Sequence, residues 1–241
     1  MKLRIDKYLA DMGIGTRTEI KNYIKKGMVS INGQMIKSSS EKVDTQIDKV
    51  QYNGQEILYL EYEYFILNKP AGVISASEDK KTITVIDLIE EKQRDDLFPV
   101  GRLDKDTEGL LLITNDGMLA HNLLSPKKHV DKTYYVETDG ELNNEHIRMF
   151  KEGLHVEEDF VALPATLEII EAEAEGSKAY LTIREGKFHQ VKKMMLAINN
   201  TVTYLKRISM GPLKLPSDLE CGSYRRLTMD EIIMLKDLEN C

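Results

Sequence analysis

The chain has few cysteines and no long apolar segment. Its only two cysteines, Cys221 and Cys241, sit apart without metal-ligand spacing, which argues against a disulfide framework or a zinc cluster. No apolar run approaches the roughly 20 residues that a membrane-spanning helix needs. The N-terminal residues MKLRIDKYLADMG contain no continuous apolar core, so they do not predict a secretory signal. We therefore expect a soluble cytoplasmic protein with free thiols and no membrane partner.

Positive charge is scarce in the chain as a whole. The 33 Lys and Arg residues face 40 Asp and Glu residues, and the net charge of -7 argues weakly against a nucleic-acid partner. Residues 1–45 reverse this balance, with nine basic residues against five acidic ones. From Glu152 to Glu175 there are eight acids and no Lys or Arg. Because phosphates respond to local charge, an acidic chain with a basic N-terminal arm is compatible with RNA binding.

Residues 100–117, VGRLDKDTEGLLLITNDG, combine a polar loop with a short apolar strand. Leu110–Ile113 has the composition of a buried strand, and the turn residues Asn-Asp-Gly follow it. Arg102 lies at the start of the loop. Three carboxylates precede the strand at alternate positions: Asp104, Asp106 and Glu108. A charged loop that is held against a buried strand is a common place for chemistry.

The composition of this loop is also compatible with simple solvation of its charges or with calcium binding. The residues D-K-D-T-E-G imitate the start of a calcium-binding EF-hand loop, with Gly109 at the turn position. However, the twelfth position of that motif requires a bidentate Glu and here is Asn115, and a strand follows where the motif has a helix. The sequence alone therefore leaves solvation open and makes calcium a weak hypothesis.

The first sixty residues predict two short helices followed by two hairpins. Ile5–Met12 has apolar residues at helical spacing, and Thr16-x-x-Glu19 has the form of a capping box that opens a second helix. The pairs Asn32-Gly33 and Asn53-Gly54 are strong hairpin turns. Basic residues recur at every fourth position of the second helix and so share one face: Arg17, Lys21 and Lys25. A solvated helix face would also produce this stripe.

Strand and helix signals continue to about residue 235. Tyr64–Leu67 begins a strand, Thr82–Glu91 predicts an amphipathic helix, and the acidic stretch 157–175 predicts a loop and an edge strand. The segment K-T-Y-Y-V-E, at 132–137, predicts a strand that places Tyr134 on one face and Tyr135 on the other. The segment EGKFHQVKKMMLAINN, at 185–200, predicts a turn and then a helix with a Met-rich core face.

The N-terminal pattern R-I-D-K-Y-L-A, T-R-T-E-I and K-K-G-M-V-S-I-N-G resembles the S4 RNA-binding module. In that family a helix pair lays its basic face on RNA phosphates. Such contacts position a protein on RNA but read little sequence. The resemblance implies this role for five residues: Arg4, Lys7, Arg17, Lys21 and Lys25.

Four later segments, in order, resemble the motifs of the pseudouridine synthases, in the branch that includes ribosomal small subunit pseudouridine synthase A. They are Y-F-I-L-N-K-P-x-G, G-R-L-D, K-x-Y-x-V and E-G-K-F-H-Q-V-K-K-M. The resemblance implies that Asp104 is the catalytic carboxylate, that Tyr134 packs on the target base and that Lys192 forms an ion pair with Asp104. It also implies RNA contacts for Arg102, which would fill the vacated space or hold the flipped phosphate, and for Lys69.

Four further residues of these motifs are interpreted as structural or solvated. His189 and Gln190 match the last motif and are expected to be structural. Asp106 matches a D-x-D-T pattern and is expected to cap the following turn. Glu108 is expected to face solvent.

The predicted fold class is α+β. We expect a small S4-like (αL-type) RNA-binding domain at 1–60, a linker at 61–63, and a pseudouridine synthase domain at 64–241 with a mainly antiparallel sheet and flanking helices. The predicted activity is isomerisation of uridine 516 in small-subunit (16S) ribosomal RNA, free or in an assembling particle, by a monomer. The reaction involves no redox change and no net water, so no metal or organic cofactor is expected. The alternatives are a large-subunit (23S) RNA synthase and a non-catalytic S4-type RNA-binding protein of ribosome assembly.

Overall fold

The computed structural model describes residues 1–238 and contains two compact units. The first unit consists of Met1–Glu63 and Glu90–Leu97, and the second of Tyr64–Ile89 and the chain from Phe98 onward. The chain therefore crosses between the units three times. Residues 90–97 fall within the predicted domain 64–241, but in the structure they belong to the first unit. Cys221 is an exposed free cysteine, and Cys241 lies outside the described residues.

The first unit contains the two helices and two hairpins that its sequence predicts. Its elements are β1 (Lys2–Arg4), α1 (Ile5–Asp11), α2 (Arg17–Lys25), β2 (Val29–Ile31), β3 (Gln34–Met35), β4 (Lys42–Asp44), β5 (Val50–Tyr52) and β6 (Gln55–Ile57). The capping box of Thr16 and Glu19 opens α2 as predicted. Both Asn-Gly pairs have the positive φ that tight hairpin turns require, with 52° at Asn32 and 50° at Asn53. The antiparallel sheet has the order β3-β2-β5-β6, and β1 pairs with β4.

Residues 90–97 are tied to the first unit by the buried guanidinium of Arg94, which is 3% exposed. Its Nη2 lies 2.6 Å from Asp96 Oδ2 and 3.5 Å from Asp11 Oδ2, and its Nη1 donates to the carbonyl of Leu60 at 3.0 Å. The guanidinium also lies over the ring of Tyr59, 5.2 Å from its centroid. A buried charge with this many partners holds its segment in place, because leaving it unpaired would be costly.

The helix predicted for Thr82–Glu91 is absent, and the prediction is wrong. Thr84 forms a parallel bridge with Ile74, and the backbone N–H of Thr84 donates to Asp87 Oδ2 at 2.8 Å. The Thr84 hydroxyl in turn accepts from the N–H of Asp87 at 3.3 Å. These reciprocal bonds have the form of a helix capping box, yet only turns follow them.

The second unit is built on one large sheet. The strands of this unit are β7 (Tyr64–Lys69), β8 (Phe98–Pro99), β9 (Glu108–Thr114), β10 (Lys132–Thr138), β11 (His155–Glu157), β12 (Phe160–Val161), β13 (Thr166–Glu173), β14 (Gly176–Ile183), β15 (Val202–Met210), β16 (Leu213–Lys214) and β17 (Tyr224–Arg226). Strands β11 and β12 pair with each other in a separate small sheet. The main order is β13-β14-β10-β15-β9-β7-β17, with every pairing antiparallel except β15 with β9. The mainly antiparallel sheet, the strand 110–113 and the edge strand in the acidic stretch are confirmed.

Helices flank this sheet, as predicted. They are α3 (Gly117–Leu124), a 3-10 turn (Pro126–Lys128), α4 (Asn144–Glu152), α5 (Gln190–Leu196) and α6 (Met229–Asp237). One core cluster joins Ile66 and Leu112 of the sheet to Leu119 of α3 and Leu235 of α6. Strand β9 lies inside the sheet with Leu110–Ile113 fully buried, so the loop that precedes it starts from a rigid base. Among residues 1–238, no helix has the length and apolar composition to cross a bilayer.

Candidate active site

The loop from Val100 to Thr107 carries Asp104 and is held by backbone bonds on both sides. The N–H of Thr107 donates to the carbonyl of Asp104 at 3.1 Å and closes a turn. The Ser75 hydroxyl accepts from the N–H of Leu103 at 3.0 Å and donates to its carbonyl at 2.8 Å. The N–H of Gly72 donates to the carbonyl of Lys105 at 2.7 Å. The backbone on both sides of Asp104 is therefore positioned by the segment that follows β7.

Lys69 lies beneath this loop and is fully buried. Its ammonium group is shared among four carbonyls, those of Thr107 at 2.8 Å, Asp104 at 3.0 Å, Pro70 at 3.1 Å and Lys105 at 3.3 Å. Burial lowers the pKa of Lys69 to about 8. The prediction that Lys69 contacts RNA is wrong, because its charge binds the backbone of the Asp104 loop and does not reach the surface.

The Asp104 carboxylate is 27% exposed and lies near two cationic or potentially cationic groups. Lys192 Nζ is 3.4 Å from Asp104 Oδ2, and His189 Nε2 is 3.6 Å from Asp104 Oδ1. The ion pair that the resemblance implies for Lys192 is thus present in the structure. Lys192 lies on α5 and His189 is the residue immediately before that helix, so one short segment supplies both neighbours of the carboxylate.

Two expectations about the neighbouring acids are wrong. Asp106 does not use its carboxylate as a turn cap; the group accepts a 2.6 Å hydrogen bond from Lys192, which holds the pKa of Asp106 below its usual range. Glu108 is half-buried and accepts from the Tyr204 hydroxyl at 2.7 Å. Burial and this hydrogen bond raise the pKa of Tyr204. Both acids therefore take part in the network around the loop.

Tyr134 lines the same cleft as Asp104 and Lys192. It lies on β10, where the alternation of buried and half-buried residues places it on the buried face and Tyr135 on the other, as predicted. It is 8% exposed. The cleft has an apolar wall that consists of Leu103, Ile183, Val191 and Leu205. Arg102 is exposed at the cleft and has no ion pair within residues 1–238.

The turn before α5 shows one residue that sequence reasoning assigned correctly and one that it missed. Gln190 is buried and structural, because its side chain donates to Glu185 Oε1 at 2.7 Å and accepts from the N–H of Lys187 at 2.9 Å. His189, expected to be structural, instead faces the Asp104 carboxylate. Its place three residues before Lys192, at the start of the same helix, is the signal that could have found it.

The calcium hypothesis for the 104–109 loop does not fit these contacts. The ammonium of Lys192 lies between the carboxylates of Asp104 and Asp106, where a shared cation would have to lie. Glu108 is turned toward Tyr204, and it begins a strand. Within residues 1–238, no group of three His, Cys, Asp or Glu side chains converges as a metal site would.

The arrangement can act on a planar ring that enters the cleft. A carboxylate paired with an ammonium group is available as a nucleophile or a base, and an aromatic face lies beside it. The sequence profile of the RNA pseudouridylate synthase family matches residues 63–197, a span that contains Asp104, Tyr134 and Lys192. The chain belongs to this family. It is an RNA pseudouridine synthase, and the profile of the S4 domain matches residues 3–46 at its N-terminal end.

The synthase is similar to several proteins along nearly its whole length. It is 47% identical to the uncharacterized RNA pseudouridine synthase YtzG of Bacillus subtilis, over 98% of this chain and 99% of that protein. It is 39% identical to ribosomal small subunit pseudouridine synthase A of Vibrio vulnificus, over 95% and 98% of the two chains. It is 37% identical to ribosomal large subunit pseudouridine synthase B of Bacillus subtilis, over 98% and 96%. A crystal structure of a pseudouridylate synthase matches with a TM-score of 0.68 at 35% identity, over 97% and 99%.

In the S4 domain of the synthase, the five basic residues predicted to contact RNA fall into two groups. Three of them are exposed on α2 and have no ion pair within the described residues: Arg17, Lys21 and Lys25. The other two are bound to carboxylates, Arg4 to Asp6 at 2.7 Å and Lys7 to Asp11 at 2.7 Å. The stripe on α2 is therefore available to bind phosphates, whereas Arg4 and Lys7 could bind a phosphate only in competition with Asp6 and Asp11.

Proposed function

We propose that this synthase converts one uridine of small-subunit ribosomal RNA to pseudouridine, with uridine 516 as the expected position. The observation that carries the proposal is the cleft that brings Asp104, Tyr134 and Lys192 together. The choice of the small subunit is supported by the name of the Vibrio vulnificus relative and by the Y-F-I-L-N-K-P-A-G segment before the Asp104 loop.

The reaction breaks the C1′–N1 bond of uridine, turns the uracil and joins C1′ to C5. The proton on C5 is lost and N1 gains one, so the product is an isomer of the substrate. Because the uracil base is stacked and paired in folded RNA, the nucleotide must first leave its stack and enter the cleft. The apolar wall of Leu103, Ile183, Val191 and Leu205 suits a base that displaces water from the cleft.

Asp104 acts as a carboxylate in this proposal, either by attack on C1′ or by removal of the 2′ proton. A base in the cleft excludes water from the carboxylate, which disfavours its charged form. The ammonium of Lys192, 3.4 Å away, offsets that cost by Coulomb attraction, which strengthens as water is excluded. Lys192 therefore stabilises the carboxylate electrostatically when the base covers it.

Tyr134 stacks on the uracil, and Arg102 either fills the space that the base has vacated or holds its phosphate. The exposed stripe of α2 binds phosphates elsewhere on the RNA through charge, which positions the substrate without reading its sequence. Because the stripe does not read sequence, the surface around the cleft determines which uridine is modified.

A second candidate function is the modification of large-subunit ribosomal RNA. It is favoured by the similarity to large-subunit synthase B of Bacillus subtilis, which spans almost the whole chain at nearly the same identity. The two candidates share the chemistry at Asp104 and differ only in the RNA that reaches it.

The test is carbodiimide mapping of pseudouridine in ribosomal RNA after incubation with the protein or with its Asp104→Asn variant. Both free transcripts and assembly-stage particles are offered. A new stop at one small-subunit uridine, absent with the variant, supports the proposal. A stop in large-subunit RNA favours the second candidate. RNA binding without a stop in any substrate would contradict both and favour an RNA-binding assembly protein.

A further inference from the structure

Phe188 is a large aromatic side chain that the protein leaves 68% exposed beside the Asp104 cleft. It lies in the turn between β14 and α5, immediately before His189. The proposed chemistry uses Asp104, Tyr134 and Lys192 and gives Phe188 no role. Single exposed apolar side chains are common on protein surfaces, so a role for Phe188 must rest on its position and its neighbours.

The Phe188 ring is held in a defined position relative to the reacting carboxylate. It stacks on the His189 ring, with centroids 3.7 Å apart and planes 20° apart. His189 Nε2 is in turn 3.6 Å from Asp104 Oδ1. The left-handed backbone of His189, with φ of 53°, lets these two consecutive side chains lie face to face. One face of Phe188 is thus covered by His189, and the high exposure leaves the rest of the ring available.

The groove that contains Phe188 is positively charged, although the whole chain carries -7. Its charged and titratable lining residues are Arg102, Asp104, Lys105, Lys132, Glu185, Lys187 and His189. Four of these residues are Lys or Arg and two are acids, so the lining keeps an excess of positive charge. Lys193 Nζ also lies 5.7 Å from the Phe188 ring, although it is paired with Glu157 at 2.9 Å. Sites for single-stranded nucleic acid combine these features, with cations along the backbone and aromatic rings under the bases.

We propose that Phe188, supported by His189, is a stacking platform for the nucleobase next in sequence to the flipped uridine. The proposal rests on the proposed function, because it concerns the same RNA at the same cleft. When a uridine leaves its stack, the neighbouring base loses one stacking partner, and an aromatic ring at the mouth of the cleft replaces it. Arg102, Lys105 and Lys187 lie along the groove to bind the phosphates on either side. Phe188 thereby lowers the cost of base flipping.

The test compares Phe188→Ala with Phe188→Tyr, which keeps the ring, and with Ile170→Ala. Ile170 is 51% exposed on the edge strand β13 and lies outside this groove, so it controls for loss of an exposed apolar side chain. The substrate is a synthetic RNA fragment around the mapped uridine. It is prepared in three forms, unaltered, with an abasic residue on the 5′ side of the uridine, and with an abasic residue on the 3′ side.

With the unaltered fragment, we expect Phe188→Ala to lower kcat/KM by about 5- to 150-fold, the range that loss of one aromatic–base stack produces. Phe188→Tyr and Ile170→Ala should stay within about twofold of the parent. With an abasic residue on one of the two sides, the effect of Phe188→Ala should largely disappear, because the base that it stacks is already missing. An equal effect on all three fragments, or no effect on any, would overturn the proposal.

Failure of the proposed function is separable from failure of this inference. If the parent protein modifies no ribosomal RNA, the same variants are compared by fluorescence anisotropy with a labelled uridine octamer. Weaker binding by Phe188→Ala than by Ile170→Ala and Phe188→Tyr would still support a base-stacking platform. Equal binding by all three variants would overturn it. Circular dichroism confirms that each variant is folded.

Discussion

The two units use basic side chains in opposite ways. On α2 of the S4 domain, Arg17, Lys21 and Lys25 point into solvent and have no ion pair within residues 1–238. In the catalytic unit, Lys69 and Lys132 are buried, and burial lowers the pKa of each to about 8. Lys69 donates to four carbonyls of the loop region, and Lys132 donates to the carbonyl of Val130 at 2.9 Å.

The exposed cations are suited to binding RNA, whereas the buried ones hold the protein backbone in position. An exposed cation contributes to RNA affinity through the release of counterions, and its removal leaves the fold intact. A buried ammonium that satisfies several carbonyls stabilises the backbone around it, and its removal leaves those carbonyls without a donor. Lys192 is intermediate, since it is partly exposed and lies between Asp104 and Asp106. Each class of cation should therefore respond differently to substitution.

The largest effect is expected from Asp104→Asn, which keeps the shape of the side chain and removes its charge. Pseudouridine formation should fall by at least about 10⁴-fold, as it does when a reacting group is removed from other enzymes. The measurement is the rate of product formation under single-turnover conditions. RNA affinity should be unchanged, and a rate within tenfold of the parent would rule out Asp104 as the reacting carboxylate.

Lys192→Met should reduce kcat by about 10²- to 10³-fold, because the carboxylate loses its counter-charge in a cleft that excludes water. KM for the RNA should change little. Lys178→Met is the matched control, since Lys178 also forms a 2.6 Å ion pair, with Glu171, but on the exposed edge of the sheet. The kcat of both variants is measured by steady-state kinetics. Equal kcat values for Lys192→Met and Lys178→Met would contradict the role of Lys192.

Lys69→Met should destabilise the catalytic unit by about 2 to 4 kcal/mol, because buried carbonyls of the Asp104 loop lose their donor. The change is measured by urea unfolding followed by near-ultraviolet circular dichroism. Lys21→Met serves as the control and should leave the unfolding midpoint where it is. If the two variants were equally stable, the buried ammonium would not organise the loop.

The stability of the catalytic unit should rise with pH between about 8 and 10. Lys69 has a pKa near 8 in the folded protein and near its ordinary value of 10.5 when unfolded, so within this interval the unfolded state binds the extra proton. Lys132 acts in the same direction. Above about pH 10 the raised pKa of Tyr204 makes stability fall as the pH rises, because the unfolded tyrosine loses its proton first.

For Lys69 the rise amounts to about 3 kcal/mol at most. Urea unfolding at a series of pH values measures it, and Lys69→Met should show a shallower slope than the parent. An identical slope in the two proteins would mean that Lys69 keeps its ordinary pKa in the folded state.

The smallest effect is expected from replacing Arg17, Lys21 and Lys25 together by Ala. RNA affinity should fall by about tenfold at moderate salt, and the slope of log K against log salt should become shallower by about 2 to 3, in proportion to three lost phosphate contacts. The turnover number should be retained. Binding isotherms at several salt concentrations test this, and an unchanged slope would show that the stripe does not meet phosphates.

Local sequence patterns were sufficient for the parts of the molecule that local interactions determine. The capping box at Thr16, the Asn-Gly hairpins and the alternation that directs Tyr134 inward all follow from neighbouring residues. The pairing of Lys192 with Asp104 was available only through the resemblance, since 88 positions separate them in the chain.

Long-range packing accounts for what the sequence could not show. Nothing in N-K-P-A-G indicates that Lys69 is buried, because the four carbonyls around it include three from a loop more than thirty residues later. Asp106 and Glu108 were misassigned for the same reason, as their partners Lys192 and Tyr204 lie on distant elements. The segment 90–97 joins the first unit through Arg94, whose partners Asp11 and Leu60 lie far upstream.

The discontinuity of the first unit has a consequence for synthesis. Translation delivers residues 1–63 first, yet Arg94, which pairs with Asp11, stacks on Tyr59 and bonds to Leu60, emerges only after residues 64–89. The S4 domain on the nascent chain must therefore wait for part of the catalytic unit to leave the ribosome before its last contacts form. A gene truncated after codon 63 would encode the S4 profile but not the whole unit that the structure shows.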